Sequence, residues 1–378
     1  MSNTGKKVLM AMSGGVDSSV AALVLRDAGY AVTGVTMKLF DNEDAFLEDN
    51  KTCCSLTDAD DARQVCLTLG LEHFVYNFSR AFNADVIDRF CTSYLRGATP
   101  NPCIDCNRYL KFEALQKRRA ELGFDYVATG HYARRVFNGE TGRFELRRAD
   151  DSNKDQTYVL YHLTQDTLAH MLFPLGDLSK PHVRELAQSH GFINANKSES
   201  QDICFVPDGD YASFIWKRCT QETECVHDTA HSPALMAFEP GNIVNRDGKV
   251  LGTHTGLIHY TIGQRKGIGV AAAEPLYVFA KDVDRNELVV DTASNVLCQA
   301  IDVHDVNFIA RAALPGPHAF QVKTHYRQIP RNATVEQTGE TTLRITFEEP
   351  QRACAPGQAA VVYDGDSVVC GGTIERSL

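Results

Sequence analysis

Two groups of residues in this 378-residue chain have the type and spacing for chemistry: a glycine–serine loop and a set of cysteines. Ser13-Gly14-Gly15-Val16-Asp17-Ser18 lies between an apolar run at 8–12 and a helix-like stretch at 18–28. Two glycines let the backbone turn tightly, so that its N–H groups and the hydroxyls can surround a phosphate. The helix that follows adds the positive end of its dipole. The G-x-x-x-x-G-K-[ST] pattern and its lysine are missing, so the loop is not a Walker A loop. The bland alternative is an ordinary Gly-rich turn, but S-G-G-x-D-S between a strand and a helix is too rare by chance to favour it.

The chain has 12 cysteines and no export signal, which argues against a disulfide framework. Thr99-Pro100-Asn101-Pro102-Cys103-Ile104-Asp105-Cys106-Asn107 leads into a helix expected to start near Asn107. A thiol at a helix N-terminus, with Arg108 and Lys111 one turn inside, predicts a depressed pKa and good thiolate character. Cys103 and Cys106 also have the spacing of half a zinc site, but Cys53-Cys54 is adjacent and a poor chelate, so no metal site is assigned. Cys204, between Ile203 and Phe205, reads by residue type as a buried core position.

The elements that must position these groups alternate. Strand-like runs at 8–12, 31–39, 73–78 and 126–129 are interleaved with helix-like runs at 18–28, 58–69, 81–95 and 107–122. This implies an α/β fold, a parallel sheet with helices on both faces. After about residue 211 the helical period fades and short strands arrive with turns at Arg246-Asp247-Gly248, Arg285-Asn286 and Asp364-Gly365. The expected organisation is an α/β catalytic domain over 1–210, a small mostly β module over 211–283 and a C-terminal β-barrel over 284–378. A polar linker is expected over 219–232.

Apolar residues make up 43% and charged residues 23%, ordinary globular usage that excludes a wholly disordered chain. No apolar run reaches the roughly 18 residues needed to span a bilayer, and MSNTGKK-VLMAM carries no signal-peptide core. A cytoplasmic location with no membrane partner is expected. The net charge of −10 excludes bulk nucleic-acid binding but not a local basic face. From Arg108 to Arg148 ten Lys/Arg stand against five Asp/Glu. That excess is either a solvated helix face and hairpin or, together with Lys323, Tyr326 and Arg327, a phosphate-binding surface.

The glycine loop resembles the pyrophosphate loop (PP-loop) of the ATP pyrophosphatases. More specifically, this loop, the N-P-x-x-x-C-N segment, Thr129-Gly130-His131-Tyr132, Ser152-Asn153-Lys154-Asp155-Gln156 and Gln201-Asp202-Ile203-Cys204-Phe205 occur here in one order. Followed by Tyr260-Thr261-Ile262-Gly263-Gln264-Arg265-Lys266-Gly267 and Pro356-Gly357-Gln358, they resemble the bacterial tRNA-specific 2-thiouridylases over essentially the whole chain. The resemblance implies ATP with Mg²⁺ bound by Ala11, Met12, Ser13, Gly14, Gly15, Val16, Asp17, Ser18, Met37 and Gly130. By residue type alone Met37 reads as core. The resemblance further implies that Cys106 is the nucleophile and Cys204 the persulfide carrier. Asn101, Pro102 and Cys103 would meet the target base. His131, Lys154, Asp155, Gln156, Gln358, His325 and Tyr326 would contact tRNA.

Cys103 stands where a well-known form of the family has Asp, and His325 where it has Arg; a neutral His cannot replace a guanidinium. The implied partners are tRNAs for Lys, Glu and Gln, and a cysteine desulfurase or sulfur-relay protein as sulfur donor. Three alternatives stay open on sequence. The first is an iron–sulfur cluster held by Cys103, Cys106 and Cys204. The others are a PP-loop amidating ligase and a non-catalytic, redox-sensing tRNA-binding module.

Overall fold

A computed structural model describes residues 4–40, 56–198, 203–221, 236–352 and 354–378. The Cys53-Cys54 pair, Gln201 and Asp202, and most of the expected linker lie outside the described residues.

The chain opens with β1 (Lys7–Ala11), α1 (Val16–Asp27), β2 (Ala31–Lys38), α2 (Leu56–Leu69) and β3 (Glu72–Asn77). Then come a helical stretch over 79–95 and another over 102–121, followed by β4 (Tyr126–Ala128). The hairpin β5 (Ala133–Asn138) and β6 (Arg143–Arg148) precedes β7 (Met171–Leu172). The first sheet runs β3-β2-β1-β4-β7, and its pairings are all parallel. Alternation along β1 explains why helices cover both faces. Val8 and Met10 pack with α1 and α2 in one cluster, whereas Leu9 packs with Val127, Met171 and Phe112 in another. A strand buried on both faces reads as a continuous apolar run, which is how 8–12 reads.

A second sheet holds β8 (Gly241–Val244), β9 (Val250–His254), β10 (Leu276–Asp282) and β11 (Glu287–Thr292), in the order β10-β11-β8-β9. The last region is a six-stranded barrel of β12 (Leu297–Phe308), β13 (His318–Lys323), β14 (Arg331–Gly339), β15 (Thr342–Arg352), β16 (Ala359–Asp364) and β17 (Ser367–Ser377). Pairing of β12 with both β15 and β17 closes it, removing the exposed edges that invite aggregation. Strand β15 alternates buried and exposed residues over 343–348. Strand β16 does not alternate: Ala360 and Val362 fill the barrel, while Ala359, Val361 and Tyr363 pack against the α/β region.

The hairpin β5–β6 lies in the first half of the chain but joins the barrel sheet, with Ser367 of β17 paired to Arg147 of β6. The α/β region and the barrel therefore share a sheet and a hydrophobic cluster. No helix among the described residues is long and apolar enough to cross a membrane.

Candidate active site

The phosphate loop sits at the carboxyl end of β1, where parallel α/β sheets place their ligands. Met12 is anchored by its N–H to the Val35 carbonyl (2.8 Å), and Thr36 Oγ1 donates to the Met12 carbonyl (3.0 Å). Gly14 has φ +72°, and a Cβ there would come within 2.3 Å of the Asp58 carbonyl. Gly15 caps α1 with no side-chain bond, leaving that helix end to a ligand rather than to a protein cap. Ser18 Oγ lies 3.3 Å from Ser13 Oγ and donates to the Gly15 carbonyl (3.0 Å). Gly130 closes over the loop so tightly that a Cβ would sit 2.8 Å from the Ser18 nitrogen.

Charges then fix the loop from outside. Asp17 accepts from Lys180 Nζ on both oxygens (2.7 and 2.8 Å) and from the Tyr132 hydroxyl (2.8 Å). Lys197 Nζ bridges Asp58 and Asp61 and reaches the Gly14 carbonyl (3.4 Å). Asn194 Nδ2 donates to the Gly14 carbonyl and to Ser19 Oγ, both at 2.9 Å. Lys180, Asn194 and Lys197 are absent from the sequence reading. They come from 163 to 183 residues away, and no local spacing marks them.

The cysteine segment departs from expectation. The helix starts at Pro102, not near Asn107, because Pro at its first position and Asn101 at the cap supply a start signal; Asn101 Oδ1 accepts from the Cys103 N–H at 3.1 Å. From Cys106 to Ala114 the winding is π-helical, a form that recurs at functional sites. Cys106 is therefore inside a helix, its N–H already bonded to the Cys103 and Pro102 carbonyls, and the dipole of the first turn is spent before it. It is also buried. Burial pushes its thiol up; Lys111 pulls it down by less, and Cys103 and Asp105 add to the rise. The expected depressed pKa is corrected to a raised one. Burial likewise raises the neighbouring Asp105 carboxyl to about 6, against the pull of Arg89 and Arg108.

Cys204 is half-buried against the hydrophobic cluster that contains Cys106, together with Phe82, Phe90 and Phe205. The fold thus brings to one cluster two thiols 98 positions apart in sequence. Cys103 is exposed. Among the described residues no three His, Cys, Asp or Glu converge as a metal-ligating group. Cys103, Cys106 and Cys204 therefore do not fit a three-ligand cluster site.

Several segments surround this helix. Thr99 donates its N–H to the Pro356 carbonyl (2.9 Å), and its own carbonyl accepts from Gln358 Nε2 (2.7 Å). His131 lies 5.9 Å from the Phe112 ring, which packs 5.8 Å from His162. Burial, with Lys111 and His162 adding, drops His131 far below the usual imidazole range, and burial near Arg108 lowers His162 to about 3. Both rings are neutral at pH 7. Gln156 Oε1 accepts the Tyr132 N–H (2.9 Å), and Tyr326 packs against Tyr158 (6.2 Å). Gln358 is thus tied to the segment that leads into Asn101, Pro102 and Cys103, whereas His131, Gln156 and Tyr326 are held by Phe112, Tyr132 and Tyr158. Lys154 is partly buried, and His325 is exposed with its imidazole lowered by partial burial and the Lys323 charge.

Two residues expected at the tRNA surface, Asp155 and Lys323, are buried. Asp155 is buried and accepts from the Thr157 hydroxyl (2.9 Å), so it braces its own segment. Lys323 is buried too, its ammonium 5.8 Å from the Tyr158 and Tyr326 rings, and burial lowers its pKa. The basic excess over 108–148 is largely spent internally. Arg108 pairs with Asp305 (2.6 Å) and Arg134 with Asp150 (2.7 Å). Arg135 donates to the Leu168 and Ala169 carbonyls, Arg143 to those of Phe308 and Ile309, and Arg147 pairs with Glu145. A count of charges cannot tell a cation facing solvent from one bonded to carbonyls.

Comparison with known proteins places these features. Residues 6–208 match the model described as tRNA methyl transferase HUP domain, 234–292 the tRNA methyl transferase PRC-barrel domain, and 298–374 the aminomethyltransferase beta-barrel domain. The protein named tRNA-specific 2-thiouridylase MnmA of Carboxydothermus hydrogenoformans is 47% identical over 374 residues, covering 99% of this chain and 98% of its own. Proteins of the same name from Moorella thermoacetica (46% identical, 97% and 99% covered) and Clostridioides difficile (44% identical, 99% of each) are similar over the same extent.

Proposed function

Since the chain belongs to the tRNA-specific 2-thiouridylase family, we propose that it replaces the C2 oxygen of a tRNA wobble uridine by sulfur, using ATP. The observation that carries this reading is the pairing of parts: an ion-paired phosphate loop, and a helix that brings Cys106 into one cluster with Cys204. A carbonyl oxygen is a poor leaving group, so the C2 oxygen first attacks the α-phosphate of ATP, which enters with its Mg²⁺, and pyrophosphate leaves. Gly14, Gly15, Ser13 and Ser18 cradle the departing phosphates, while Lys180 and Tyr132 hold Asp17 in place. The terminal sulfur of a Cys204 persulfide then attacks C2, and AMP departs with the former C2 oxygen. The Cys106 thiolate attacks the inner sulfur of Cys204, releasing 2-thiouridine and leaving a Cys106–Cys204 disulfide, which an external thiol reduces. The target base must leave its stack to reach the buried cysteine. Cys204 would be loaded by a cysteine desulfurase or relay protein, and the substrates would be tRNAs for Lys, Glu and Gln in the cytoplasm.

The raised Cys106 thiol fits this order: a thiol that stays protonated does not discharge the persulfide early, and it gives up its proton to solvent or to the leaving group only as it attacks. The test is mass spectrometry of tRNA nucleosides after incubation with ATP, Mg²⁺ and a persulfide donor, with 2-thiouridine and one AMP per modified base expected. AMP formation from an amine acceptor, without 2-thiouridine, would establish the amidating ligase instead. No tRNA-stimulated AMP at all would leave only a binding module.

A further inference from the structure

Outside the cysteines used above, the barrel holds a second thiol pair. Cys298, at the start of β12, and Cys354, just beyond the end of β15, are both buried in the apolar cluster that fills the barrel. Both line a cavity of about 250 Å³, walled by Val278 of the central sheet, Pro356 and Ser377. The cavity is large enough to admit a small solute beside the two residues.

The position of Cys354 gives the pair leverage. Two residues later, Pro356, Gly357 and Gln358 form the clasp on Thr99, just before the cap of the Cys106 helix. A Cβ on Gly357 would lie 3.0 Å from that of Ala98, so the two loops fit closely. On its other side Cys354 Sγ is 3.9 Å from Thr324 Oγ1, adjacent to His325 and Tyr326. Its carbonyl accepts from Ser377 Oγ at 2.5 Å. Any change in the Cys354 backbone is felt at both segments assigned above to tRNA.

We propose that Cys298 and Cys354 form a peroxide-sensitive dithiol whose oxidation to a disulfide loosens the grip on tRNA. The Cys298 thiolate attacks a peroxide oxygen, breaking the O–O bond to give a sulfenic acid and water from hydrogen peroxide. The Cys354 thiol then attacks that sulfur, forming the S–S bond and expelling the sulfenic oxygen as a second water. Two thiols and one peroxide become one disulfide and two waters. Drawing Cys354 toward Cys298 within S–S bonding distance pulls on the Pro356–Gln358 clasp. This consequence rests on the tRNA reading above; the oxidation itself does not.

The full chain, with Cys106→Ser and Cys204→Ser to silence the thiols of the reaction, is reduced, treated with hydrogen peroxide, alkylated and digested without reductant. A Cys298–Cys354 cross-linked peptide, two hydrogens lighter than its parts, is expected. The same preparation should bind tRNA at least fivefold more weakly, recover with dithiothreitol, and lose this response in Cys298→Ala. Absence of the cross-link in the folded chain overturns the proposal, and so does a cross-link that leaves tRNA affinity unchanged. Peroxide sensitivity that persists in Cys298→Ala places the effect elsewhere and also overturns it. If Cys298→Ala does not fold, Cys354→Ala takes its place, and peptide mapping needs neither. A reduced chain that binds no tRNA would refute the functional reading, while the cross-link would still decide the chemistry of the pair.

Discussion

The phosphate loop and the cysteine helix are built on opposite principles. The loop is held by charge: Asp17 between Lys180 and Tyr132, and Lys197 between Asp58 and Asp61, around glycines that leave the α1 end open. The cysteine helix is held by apolar packing, with Cys106 beside Leu110, Phe82 and Phe90, and its thiol pushed up by that burial. A phosphate site has to be charged and preorganised before its ligand arrives, because fixed dipoles act without reorganising. A thiol that must not react early is better kept neutral. The difference implies that nucleotide chemistry and sulfur chemistry can be separated by mutation and by pH.

The largest effect falls on the sulfur side. Cys106→Ser and Cys204→Ser should each cut 2-thiouridine on the order of 10³-fold or more, as expected for covalent participants. Pyrophosphate release with tRNA should survive in both. Cys103→Ser, at an exposed position, should keep most of its activity; its loss along with the other two would show that three sulfurs act together. On the charge side, Asp17→Ala should lower pyrophosphate release by about 10²–10³-fold, the scale seen when one preorganised group is removed. Gly130→Ala, which drives a methyl group against the Ser18 nitrogen, should weaken ATP binding. Normal adenylation by Asp17→Ala would move the nucleotide elsewhere.

The pH dependence sharpens the same contrast. A raised thiol is protonated at pH 7, and its thiolate fraction grows as pH rises through the elevated pKa. Thiolation at saturating ATP and tRNA should therefore climb beyond the ordinary cysteine range near pH 8.5, while pyrophosphate release stays nearly flat. A plateau below pH 7 would show an activated thiolate instead. The smallest effects test the arginines. Arg143→Ala, which strips donors from the Phe308 and Ile309 carbonyls, should cost about 1–3 kcal/mol of stability and leave the salt slope of tRNA binding alone. Lys323→Ala should behave likewise. Exposed Arg327→Ala should instead flatten that slope by about one, measured by titration across salt concentrations.

Much of the α/β region was legible because its signals are local. Strand β1 and helix α1 fall within two residues of their sequence-derived limits, since apolar period and glycine punctuation are properties of neighbouring residues. The start of the cysteine helix differs from its expected place near Asn107 although its signal is equally local: Asn101-Pro102 is a cap followed by a first-turn proline, and it outweighs the cysteine spacing. Membership of hairpin β5–β6 in the barrel was not legible, because one pairing between Arg147 and Ser367 spans 220 positions.

The sequence by itself determined which chemistry is available: a glycine loop shaped for phosphate, cysteines at 106 and 204, and a strand–helix alternation to carry them. Those choices are encoded in residue type and short spacing. Tertiary structure alone decided how each group behaves. It brought Lys180 and Asn194 to the loop, spent the arginines of 134–147 on carbonyls and carboxylates, and buried Lys323 beneath two tyrosines. It also turned Cys106 from an expected thiolate into a neutral thiol. The reason is physical: desolvation and pairing depend on what stands within a few ångströms, and long-range packing sets that.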